Sequence, residues 1–108
     1  MLFLLACSQS SGKNHGVKMP NDSTPKQAEI IIKKIMSHGF SNDFKQKFTN
    51  FDPKKHGYGF SIKTGENQVY IIFSIKFTET PKNVDEMVNF GANKLELEVK
   101  NHFGESKA

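Results

Sequence analysis

The chain reads as a small α+β domain: a helix, a two- or three-stranded antiparallel meander, and a second helix, stacked as two layers. Three observations predict this. The run from Gln68 to Phe77 (QVYIIFSIKF) puts Val69, Ile71, Phe73, Ile75 and Phe77 on one face, and β-branched and aromatic residues suit a pleated, half-buried surface. Just upstream, Tyr58, Phe60 and Ile62 alternate with Gly59, Ser61 and Lys63, and the intervening TGEN (Thr64 to Asn67) is of hairpin length. On either side, apolar residues recur at threes and fours after a Thr-Pro pair, the signature of amphipathic helices.

Taken in order, Thr24 is a helix N-cap, Pro25 the first helical residue and Gln27 the partner in a capping box. Ala28, Ile31, Ile32, Ile35 and Met36 then form the apolar stripe. Gly39 is the stop, since helices commonly end on a residue of positive φ, and the spacing predicts a helix from Pro25 to His38. The segment Phe40 to Phe51 fits two patterns. Phe40, Phe44, Phe48 and Phe51 make a helical stripe, yet Phe44, Gln46, Phe48 and Asn50 alternate as a strand, and the turn formers on both sides favour a strand from Phe44 to Phe51. Gly57 and Gly59 mark a bulge or bend at the open end of the hairpin.

Gln68 to Phe77 is the central strand. Its second face, Tyr70, Ile72, Ser74 and Lys76, passes from apolar to wet, as in a sheet covered on one side only. Thr80 and Pro81 open the last helix, predicted from Pro81 to His102 and ended by Gly104. Within it Gly91 and Ala92 permit close packing on the sheet or the first helix.

At 108 residues the chain accommodates one domain, assigned to residues 24–108, and a tail. Cys7 is the single cysteine, so an intrachain disulfide and a multi-cysteine zinc site are both excluded. The net charge is +4, and all 15 basic residues are lysine. Bidentate reading of guanine or phosphate is mainly an arginine function, so specific nucleic-acid recognition is not expected. Lys26 to Lys63 is lysine-rich while Glu79 to Ala108 is acidic, a distribution that points weakly to anionic partners or a membrane surface.

The opening MLFLLACSQSSGKN places Leu4, Leu5 and Ala6 before Cys7 and a Ser-rich polar stretch after it. This resembles a bacterial lipoprotein signal at its lipobox. The apolar run is shorter than an h-region of about 7–15 residues, so residues 1–6 are read as a partial signal peptide whose true start lies upstream. The resemblance implies that Cys7 becomes the mature N-terminus and carries lipid, a stable anchor because each buried methylene contributes about 0.8 kcal/mol. It also implies a location in the bacterial cell envelope, with the outer membrane favoured in a two-membrane host because Ser8 is not the Asp of inner-membrane retention. A cytoplasmic protein is the alternative if the N-terminus is no signal. Residues 7–23 then read as a lipidated cysteine and a flexible tether.

Candidate chemistry is sparse. His15, His38, His56 and His102 form no spaced metal pair, no nucleophile elbow is present, and Asp85 with Glu86 is better explained as charge at a helix N-terminus. Ser10, Ser11, Gly12 and Lys13 lack the preceding glycine and strand of a phosphate loop. No metal or cofactor is expected. Lys54, Lys55 and His56, with Lys45 and Lys47 upstream, are the candidate binding patch, suited to an acidic protein or to lipid head groups. The function expected is a non-enzymatic, membrane-anchored envelope lipoprotein with a binding or structural role. The alternatives are an envelope inhibitor or immunity protein and a small envelope hydrolase, the latter requiring His56 beside a carboxylate in a pocket.

Overall fold

The computed structural model describes residues 11–105. Leu4 to Cys7, expected to form a lipobox, lie outside them. The order is β1 (Ser11–Lys18), α1 (Pro25–Ser37), α2 (Phe40–Lys47), β2 (His56–Gly65), β3 (Gln68–Phe77) and α3 (Val84–Glu105). The sheet is antiparallel with strand order β1-β3-β2, so Gln68–Phe77 is the central strand and the architecture is α+β.

The inward side chains of β3 are all buried, and the helices supply Ala28, Ile31 and Ile35 from α1, Phe40 and Phe44 from α2, and Met87, Leu95 and Val99 from α3. The helices therefore cover one face of the sheet. On the other face Tyr70, Ile72 and Ser74 are half-buried and Lys76 is exposed.

Local chemistry explains the boundaries of α1. The Gln27 N–H donates to Thr24 Oγ1 at 3.2 Å and the Thr24 N–H to Gln27 Oε1 at 2.9 Å, closing the capping box. Gly39 takes a φ of 85°, a left-handed conformation that glycine adopts without a Cβ penalty. In the hairpin the loop is shorter than TGEN: Gly65 pairs with Gln68, leaving Glu66 and Asn67, with Asn67 at a φ of 55°.

Residues 40–47 are a helix, so the strand expected from Phe44 to Phe51 is not formed. The helical reading gathers Phe40, Phe44 and Phe48 on the core side and turns Lys45, Gln46 and Lys47 to water, whereas a strand would align Gln46 with the buried phenylalanines. Phe40 meets Phe44, Tyr58, Phe60, Phe73 and Phe90 at ring separations between 5.3 and 5.8 Å, and this aromatic core holds a two-turn helix that propensity alone would not.

The third strand is instead β1, inside the segment expected to be a tether; it buries Val17, and Met19 is buried one residue past its end. Gly57 and Gly59 sit in an uninterrupted β2–β3 register, so they mark no bulge. Finally, α3 starts at Val84 and runs to Glu105, beyond Gly104. Pro81 lies in the preceding turn, where its carbonyl accepts from the Val84 N–H at 3.3 Å.

Gly91 is fitted to its place. A Cβ there would overlap the Phe73 ring, so the absence of a side chain lets α3 lie directly on the central strand.

Candidate functional site

Three places bring chemistry-bearing side chains together. The first is the loop before β2. Asp52 organises it: its carboxylate accepts from the Lys54 N–H at 3.0 Å, and its carbonyl accepts from the N–H groups of Lys55 and His56 at 2.9 and 2.7 Å. The Asp52 N–H donates to His56 Nδ1 at 2.9 Å, so Nε2 carries the ring proton and faces the Glu79 carbonyl at 3.2 Å. Both ring nitrogens of His56 thus meet backbone groups, and the ring ties the loop to the end of β3.

Lys55 Nζ lies 2.9 Å from Glu79 Oε1, and that hydrogen bond and charge hold its ammonium above the ordinary lysine pKa. Lys54 is exposed. Lys45 and Lys47 ride on α2 rather than on a strand, so they do not project from the sheet. Of the predicted patch, Lys54, Lys55 and His56 are contiguous, with Lys54 turned to solvent and the other two engaged.

The second place is a cavity of about 220 Å³ among the helices, where His38 Nδ1 lies 3.2 Å from Glu98 Oε1 and Lys94 Nζ lies 3.6 Å from Asp43 Oδ2. The remaining lining is Ile35, Phe40, Leu97 and Asn101, with no hydroxyl or thiol. The two pairs tie α1 and α2 to α3. Among the described residues no group of three His, Cys, Asp or Glu side chains is placed to hold a metal ion.

The third is a groove between β1 and α3, which reading the sequence did not anticipate. One cavity of about 520 Å³ is lined by Gly16, Val17 and Lys18 and by Asn93, Glu96, Leu97, Val99 and Lys100. A second, of about 400 Å³, is lined by Lys18, Met19, Pro20, Val99, Lys100, Phe103 and Gly104. They share Lys18, Val99 and Lys100 and so form one groove, with buried Val17, Met19 and Val99 at its base and Leu97, 56% exposed, on its rim.

Beside the groove runs a sheet edge that has no strand paired to it among the described residues. The Met19 N–H donates to the Val69 carbonyl at 2.9 Å, which sets the alternation of the antiparallel ladder. Through the β1–β3 register, Lys13, His15 and Val17 bond to β3, while Gly12, Asn14, Gly16 and Lys18 turn their N–H and C=O groups outward. The side chains of those outward residues lie on the open face of the sheet. Their cross-strand neighbours there are Tyr70, Ile72, Ser74 and Lys76 of β3 and then Gly57, Gly59, Ser61 and Lys63 of β2. This face carries Lys18, Lys63 and Lys76 and no acid.

The sequence signal for the groove is weak for a physical reason. An edge strand that exposes Lys13 and His15 and buries Val17 shows no run of alternating hydrophobicity, and SGKNHGVK is indistinguishable in composition from a linker.

No helix among the described residues is long and apolar enough to cross a membrane. Comparison with protein-family models, with curated proteins and with solved structures gave no match.

Proposed function

We propose that this chain is a lipid-anchored protein of the bacterial cell envelope whose folded domain binds a partner rather than transforming a substrate. The observation that carries the reading is Cys7, preceded by Leu4, Leu5 and Ala6 in the lipobox arrangement. The start of β1 sharpens it. Cys7 stands four residues before Ser11, and four extended residues span at most about 14 Å, so the domain would rest against the bilayer rather than swing on a long leash.

The register supports one orientation. Ser11 pairs with Phe77, and Phe77 with His56, so the loop of Lys54 and Lys55 lies at the same end of the sheet as the anchor. A lysine exposed there adds electrostatic attraction to anionic head groups at short range.

The test is expression from the native start in a bacterial host. The wild-type chain partitions into detergent, and Cys7→Ser remains unprocessed and in the aqueous phase. Equal partitioning of the two forms would overturn the reading.

A further inference from the structure

We propose that the free edge of β1 takes up an extended acidic segment of another protein, which adds to the sheet as a fourth strand beside α3. This rests on reading the domain as a binding module, and it names the class of partner.

The backbone supplies the first reason. Gly12, Asn14, Gly16 and Lys18 present a row of outward N–H and C=O groups on an edge of the three-stranded sheet, and an added strand would satisfy them. No proline or bulge interrupts the row.

The groove supplies the second. Alternate side chains of an added strand would point to the helix side, where Leu97 is exposed on the rim above buried Val17 and Val99. An edge with an apolar trough beside it offers specificity as well as backbone bonds.

Charge selects the occupant. The other alternate side chains would lie over the open face, which holds Lys18, Lys63 and Lys76 without an acid. Lys13, on the helix side of β1, is already bridged to Asp85 at 2.9 Å. On the groove side Lys100 lines both cavities and Glu96 one of them, so that side carries charges of both signs. A strand with acids on the open-face side and apolar residues on the groove side matches both surfaces, whereas a basic strand would be repelled.

The experiment titrates the full ¹⁵N-labelled chain with a short synthetic peptide alternating valine and glutamate, and separately with its valine–lysine counterpart. The glutamate peptide should slow amide exchange by about tenfold or more at Gly12, Asn14, Gly16 and Lys18, leaving Lys13, His15 and Val17 unchanged because they already donate to β3. The lysine peptide should do nothing. Lys18→Glu with Lys76→Glu, both on the open face, should weaken binding about tenfold at an unchanged thermal midpoint. Gly16→Pro, which removes one outward N–H and none of the β1–β3 bonds, should weaken binding as well.

No protection at those amides with millimolar peptide, or equal effects of the two peptides, overturns the proposal. Protection that rises with protein concentration and needs no peptide also overturns it, since a second copy would then occupy the edge. None of these readouts depends on lipid at Cys7, so failure here leaves the anchoring to be judged by its own test.

Discussion

Phe73 is where the central strand meets α2 and α3. Its ring is fully buried, lies 5.1 Å from Phe60 and 5.6 Å from Phe40, and is covered by the bare Cα of Gly91. Truncating a buried phenylalanine to alanine costs about 3–5 kcal/mol, a large part of the stability of a domain this size. Phe73→Ala should therefore lower the thermal midpoint steeply. Lys76→Ala, on the exposed face of the same strand, should change stability by less than about 0.5 kcal/mol. The reverse order of midpoints would mean that the faces of β3 are inverted. Gly91→Ala is the complementary test. Alanine is the better helix former by about 1 kcal/mol, but its methyl would overlap the Phe73 ring, and overpacking costs about 1–3 kcal/mol. A net loss of stability is expected; a gain would mean that α3 does not approach β3 this closely.

At the scale of elements, β1 distinguishes this fold from a helix and hairpin on a leash. Amide exchange of the free chain should be slow at Lys13, His15 and Val17 and fast at Gly12, Asn14 and Gly16, because only the first set donates into the ladder. Uniformly fast exchange across Ser11–Lys18 would show that the segment is a tether after all.

What was legible in the sequence follows from how much each element buries. The hairpin and α1 were readable because β3 buries every inward side chain and Thr24, Pro25 and Gln27 form a complete start signal. Phe40 to Phe51 carried both periods at once, and only the aromatic partners on β2, β3 and α3, distant in sequence, decide for the helix. The strand β1 was not readable, since its stability comes from backbone bonds to β3, which leave no trace in side-chain pattern. The same holds for the site. Lys54, Lys55 and His56 were visible as a charged loop, but the backbone partners of His56 and the groove beside α3 exist only in the folded chain.

For the molecule as a whole, the lipid proposed at Cys7 and the Lys54–Lys55 loop would stand at the same end of the sheet, since Ser11 pairs with Phe77 and Phe77 with His56. Exposed charges are screened beyond about 8 Å at physiological ionic strength, so any contribution of this loop at the bilayer should depend on salt. Binding of the chain with Cys7→Ser to vesicles rich in anionic lipid should fall with added salt and with Lys54→Glu plus Lys55→Glu. Binding that is insensitive to both would leave this loop no part in membrane contact. Lipidation at Cys7 is tested most directly by intact-mass and N-terminal peptide mass spectrometry of the native protein isolated from envelopes. The expected species is a chain beginning at Cys7, with a diacylglycerol thioether on its sulfur and an acylated amine. A chain that retains the residues before Cys7 and carries an unmodified thiol there would contradict it.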